Sequence, residues 1–90
     1  MSETRPATFH LKVITPRASL VETEADEAQV PTTEGLIGVY PGHRPLVVAL
    51  GEGTLSYRQG KYEDSFEISG GLAEIGPDRV LVFTDKPAGA

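Results

Sequence analysis

Gly53–Ser69 reads GTLSYRQGKYEDSFEIS, and its period is two. Tyr62, Phe66 and Ile68 share one parity while Glu63, Ser65, Glu67 and Ser69 share the other, the pattern of a strand with an aromatic inner face and a polar outer one. The run before it, GTLSYR, can fold back onto it across Gln59-Gly60, because glycine accepts the positive φ that a tight hairpin demands. A hairpin therefore occupies the middle of the chain. On its C-terminal side LAEI, Leu72–Ile75, leads through the turn residues Gly76-Pro77-Asp78 into RVLVFT, Arg79–Thr84, a β-branched and aromatic last strand that closes a second hairpin. On its N-terminal side Phe9, Leu11 and Val13 alternate with His10, Lys12 and Ile14, another half-buried strand, which Thr15-Pro16-Arg17 stops.

Arg17–Val30, RASLVETEADEAQV, is the one segment in which a helix competes, since it lacks Gly and Pro and holds good helix formers. Its apolar residues Leu20, Val21, Ala25, Ala28 and Val30 make only a thin stripe, and no second helix offers itself for packing. Two short strands, Leu20–Glu22 and Glu27–Val30, are the reading adopted. Turn signals recur roughly every 8 to 12 residues, the rhythm of an all-β antiparallel sandwich or barrel.

The chain has 90 residues, which suits one domain with one modest core. A core of that size leaves little interior for a deep substrate cavity and lowers the expectation of an enzyme. There is no cysteine, so neither disulfides nor thiolate metal sites hold the fold. A formal charge of −5, with eight scattered basic residues, disfavours nucleic acid as a partner, because affinity for phosphates rests on clustered Lys and Arg. The longest apolar run, Leu46–Leu50, falls far short of the roughly 20 residues that cross a bilayer, so no membrane insertion is expected. The opening MSETRPAT lacks the apolar segment of a secretory signal and reads as a short cytosolic tail. Tails are expected at 1–7 and 87–90, around a domain at 8–86.

Tests for chemistry give little. His10 and His43 follow no metal-ligand spacing, and no metal is expected. GEGTLS, Gly51–Ser56, lacks the third glycine and the following helix of a phosphate loop, and reads as a turn opening a strand. ISGGL is not the nucleophile elbow G-x-S-x-G; a crossing of strands accounts for it better. Glu22, Glu24, Asp26 and Glu27 read as a solvated face, with a basic partner surface as the alternative. The stretch TTEGLIGVYPGHRPLVVAL, Thr32–Leu50, is more unusual: glycines and prolines crowd a short loop with His43 at its tip. That loop is either a site of chemistry or a shaped contact surface. His43 bonds nearby backbone, touches a partner or acts as a base, and the last lacks a specified nucleophile and orienting group.

The segment VPTTEGLIGVYPGHRPLVVALGEGTL resembles the signature of the epsilon subunits of F-type ATP synthases, E-G-x-x-G-[IV]-x-P-G-H-x-P-L followed by G-x-L. FHLKVITP, EADEAQVP and FEISGGLAEIGPDRVLVFTD match in the same order, so the resemblance spans residues 8 to 86. It implies a flattened antiparallel β-sandwich of about ten short strands. It also implies a non-catalytic rotor part of the central stalk, without cofactor, that binds the gamma subunit and the c-ring and couples proton-driven rotation to ATP synthesis, at the cytoplasmic face of a bacterial inner membrane. By the same resemblance Glu34, Leu36, His43 and Arg44 are the expected contacts with c-ring and gamma. Gly35, Gly38 and Gly42 would allow close turns, while Pro41 and Pro45 stiffen the loop and lower the entropy lost on docking. Most members of the family continue into a C-terminal helical hairpin, whereas this sequence stops at TDKPAGA, so nucleotide binding and self-inhibition are not expected. The alternative from another class is a free-standing sandwich that takes a small ligand or peptide at a strand edge.

Overall fold

The central hairpin is longer than its two sequence runs suggest. The computed structural model describes residues 8–87, in eight strands: β1 Phe9–Ile14, β2 Ser19–Ala25, β3 Glu27–Thr32, β4 Gly35–Val39, β5 Leu46–Ala49, β6 Glu52–Gln59, β7 Tyr62–Ile75 and β8 Arg79–Pro87. The tails expected at 1–7 and 87–90 lie outside the described residues, except that Pro87 ends β8. β6 and β7 pair from Gln59↔Tyr62 to Glu52↔Ser69. The connecting turn is thus Gly60-Lys61, one residue beyond the expected Gln59-Gly60, and Asp26 Oδ2 accepts the Gly60 N–H at 2.6 Å.

Beyond Ser69, β7 does not stop. It bends and continues to Ile75, and β5 takes over from β6 as its partner, from Ala49↔Leu72 to Leu46↔Ile75. The bend lies at Gly70 and Gly71, with φ of 73° and 116°. A Cβ on Gly71 would sit 1.9 Å from the Phe83 carbonyl oxygen, so only glycine fits there. Hydrogen bonds carry the pairing through the bend: Leu50 N–H donates to Gly71 O at 3.0 Å and Gly70 N–H to Gly51 O at 3.2 Å. Thr84, a buried polar residue, donates from Oγ1 to Gly70 O at 3.0 Å and pins the bend to β8. YEDSFEIS and LAEI, joined through Gly70-Gly71, are therefore one strand of 14 residues. This merger is one reason that eight strands stand where about ten were expected.

The strand order β2-β1-β8-β7-β6-β3-β4, with β5 on β7, divides at the bend into two arms. The first arm holds β2, β1, β8, the second half of β7, and β5; the second holds the first half of β7, β6, β3 and β4. Their inner faces meet in one core, to which the first arm gives Phe9, Leu11, Val13, Val80 and Val82 and the second Ala28, Val30, Val39, Leu55 and Tyr57. Each large apolar side chain so buried is worth about 1.5–3 kcal/mol. The pairing is antiparallel except between β1 and β8, which run parallel.

Arg17–Val30 contains no helix; β2 and β3 are longer than the two strands expected there and meet at Asp26, whose N–H donates to Arg58 O at 2.7 Å. One expectation for the inner face fails. Ile68 is buried and Phe66 half-buried, but Tyr62 is exposed at the hairpin tip, tilted against Tyr57 with ring centroids 6.3 Å apart.

Candidate functional site

The stretch from Thr32 to Pro45 is not one loop. Thr32 pairs with Gly35, so Thr33-Glu34 form the two-residue turn of a β3–β4 hairpin. The Thr32 hydroxyl donates to Gly35 O at 2.6 Å and accepts from Glu34 N–H at 3.1 Å. β4 follows, and Tyr40-Pro41-Gly42-His43 then make a turn closed by His43 N–H donating to Tyr40 O at 3.2 Å. Proline at the second position and glycine at the third, with φ of 88° at Gly42, are the requirements of a type II turn. Gly42 N–H donates to Pro77 O at 2.7 Å, which fastens this turn to the β7–β8 connection.

The expected contact residues consequently separate. Glu34 is exposed at one end of β4 while His43 and Arg44 stand beyond the other, roughly 20 Å away at about 3.3 Å per extended residue. Leu36, 62% exposed, points outward from β4 on the Glu34 side. Gly35 closes the hairpin turn, and Gly38 has the Tyr40 ring above it, 3.4 Å from where a Cβ would be. Pro41 is half-buried and Pro45 exposed, flanking the type II turn. His43 Nδ1–H donates to the Arg44 carbonyl at 2.7 Å, which makes it a backbone-bonded loop histidine. Tyr40 Oη donates to Glu27 Oε2 at 3.4 Å, and Gln29 Nε2 donates to the same oxygen at 3.2 Å. Arg58 donates to Glu27 Oε1 from Nε at 3.2 Å and Nη2 at 2.5 Å. Arg58 first, then Gln29, hold the Glu27 carboxyl below the ordinary carboxylate value.

A second surface was missed by the motif reading. On the outer face of the first arm, register aligns Ile14 with Phe83, Phe83 with Leu72 and Leu72 with Ala49, an apolar row across β1, β8, β7 and β5. The next row is Lys12, Leu81, Glu74 and Val47. Val47 is 60% exposed, Leu72 41% and Phe83 36%. At one end of this face a hollow of about 290 Å³ opens between Pro45-Val47 and Pro77-Leu81. The signal for it was present: LVVAL and RVLVF are apolar at both parities, as strands covered on both faces are.

Among the described residues no group of three His, Cys, Asp or Glu is arranged to hold a metal ion. Nor is any helix there long and apolar enough to cross a membrane. The arrangement offers contact: two stiff turns at opposite ends of β4 and, on the other arm, a largely apolar outer face.

Residues 8–88 match the family model of the ATP synthase delta/epsilon chain, beta-sandwich domain. The ATP synthase epsilon chain of Solibacter usitatus is 42% identical over 80 residues, covering 89% of this chain and 60% of that protein. That of Myxococcus xanthus is 37% identical over 79 residues, covering 88% and 58%. The chain thus spans about three-fifths of the length of these relatives. Among solved structures, a chain of the Euglena gracilis mitochondrial ATP synthase, seen in its OSCP/F1/c-ring assembly, superposes with a TM-score of 0.86 at 25% identity over 98% of this chain and 57% of that one. A chain from the Tetrahymena thermophila central stalk and c-ring shares the fold, with a TM-score of 0.73 at 14% identity. From Thr8 onward, then, the bent hairpin and its flanking strands fall within one family domain, and the chain belongs to the ATP synthase delta/epsilon family through its beta-sandwich domain.

Proposed function

We propose that this chain is a non-catalytic rotor part of the central stalk of an F-type ATP synthase, which binds the gamma subunit and the c-ring and helps couple proton-driven rotation to ATP synthesis. The observation that carries the reading is the agreement of 98% of the chain with a subunit found in an F1/c-ring assembly. Two features of this chain fit the role. Its turns are stiffened by Pro41 and Pro45 and by backbone hydrogen bonds, so little conformational entropy is lost on docking. Its two arms share one close-packed core, and such an interior deforms little under load. Glu34 and Leu36 at one end of β4 and His43 and Arg44 at the other are the proposed loop contacts with c-ring and gamma, and the apolar outer face is a third. The complex would place the chain peripherally, at the cytoplasmic face of a bacterial inner membrane.

The test is co-purification of the tagged chain with gamma and c-ring from membranes, followed by measurement of coupling when the chain is restored to a stalk that lacks it. Both bodies are expected to co-elute and coupling to recover. Indifference to both, while each is intact, refutes the reading. Glu34→Lys is expected to weaken docking; unchanged retention would remove the β3–β4 turn from the contact and leave the other surfaces.

A further inference from the structure

At the charged margin of the outer face, one side chain is held in a geometry that its neutral form does not support. His10 stands on β1 with Nδ1 3.1 Å from Glu24 Oε2 and Nε2 3.2 Å from Glu22 Oε2, both carboxylates belonging to β2. A neutral imidazole has one N–H and one lone pair, so one of the two contacts would set a lone pair against a carboxylate oxygen. The imidazolium donates to both. Thr8 Oγ1 adds a hydrogen bond to Glu24 Oε1 at 2.8 Å. Among the described residues β2 is an edge of the sheet and pairs with β1 alone, from Phe9↔Ala25 to Ile14↔Ser19. What fastens β2 to β1 therefore decides whether that edge stays closed.

Among the described residues, the other groups facing His10 are few. Lys12 lies two residues along β1 on the same face, Arg79 lies opposite on β8, and the Asp78 carbonyl accepts the His10 backbone N–H at 2.8 Å. The hydrogen-bonded carboxylates of Glu24 and Glu22 favour protonation of the ring, and its desolvation opposes it.

We propose that His10, clasped by Glu22 and Glu24, is a proton-controlled latch that fastens the edge strand β2 to β1 and loosens it as the pH rises. The hydrogen bonds to Glu24 and then Glu22 raise the imidazole above its ordinary value of 6.5. A group raised in the folded state contributes fully below the unfolded value, so the latch is closed below 6.5 and opens as the pH climbs through the higher folded value. That interval lies in the range where histidines serve as physiological switches. The inference does not depend on the docking role.

The experiment is NMR on the 90-residue chain, following the His10 ring signals and the exchange protection of the Val21–Ala25 amides from about pH 5.5 to about pH 9. His10 is expected to titrate above 6.5. Protection in β2 should fall about three- to tenfold through the same midpoint, while amides shared by β3 and β6 keep theirs. The double variant Glu22→Gln/Glu24→Gln should return the midpoint towards 6.5 and remove the step. His10→Gln should remove the step with the rest of the spectrum intact. A wild-type midpoint at or below 6.5 overturns the latch, as does a β2 step that survives in His10→Gln.

Discussion

On the outer face of the second arm the facing pairs are Arg58 with Glu63, Ser56 with Ser65 and Thr54 with Glu67, whereas on that of the first they are Ile14 with Phe83, Phe83 with Leu72 and Leu72 with Ala49. Both arms bury their inner residues in one core, so folding does not require this asymmetry. A polar outer face is what a half-wet sheet shows; an apolar one invites a cover. The difference teaches that the same bent strand, β7, carries a polar outer face over its first half and a largely apolar one over its second. Gly70-Gly71 is where the change occurs.

Breaking the bend should have the largest effect. Gly71→Val combines a φ of 116° with a Cβ 1.9 Å from a carbonyl oxygen, and is expected to cost more than about 3 kcal/mol or to abolish cooperative urea unfolding. Gly60→Ala, in open space, should cost only about 1 kcal/mol. A wild-type midpoint for Gly71→Val would mean that the bend does not set the arms.

The next effect contrasts inside with outside. Leu55→Ala, in the shared core, is expected to cost about 2–5 kcal/mol. Leu72→Ser, on the outer face, should change the stability of the isolated chain by no more than about 0.5 kcal/mol. Leu72→Lys should nevertheless weaken binding to gamma and c-ring about tenfold or more, while Ser65→Lys on the second arm leaves it unchanged. Equal losses from the two lysine variants, read by titration calorimetry or retention on immobilised stalk, would erase the distinction between the arms.

The smallest effect is electrostatic. Glu27, held by Arg58 below the ordinary 4.5, stabilises the second arm above that value, and the contribution is lost as the pH falls below it through the folded value. Arg58→Gln should flatten this acid limb of the stability curve and leave docking unaltered. The His10 latch gives the first arm the opposite sign on the alkaline side. Chemical denaturation at a series of pH values separates the two.

Much of this was legible in the residues. Period-two runs announced β1 and β7, the glycine after Gln59 announced the hairpin to β6, and Gly42 with Pro41 announced a stiff close turn, because alternation and turn chemistry act over a few neighbours. The continuity of β7 was not legible, since Gly70-Gly71 looks like a chain break unless β5 and Thr84 are known to bond across it. The contact loop was legible as a motif but not as a shape: GLIGV reads as glycine-rich loop and is in fact the edge strand β4, held by β3. Tyr62 was placed inside by parity, yet the hairpin tip extends past the core.

By itself the sequence determined an all-β domain, its central hairpin and its family signature, because burial alternation, positive-φ glycines and turn prolines are properties of short segments. Only the tertiary structure decided that Glu34 and His43 stand at opposite ends of a strand, and that Leu72, Phe83 and Val47 face outward together. Those facts depend on register and on which strands lie side by side, and no local pattern carries that information.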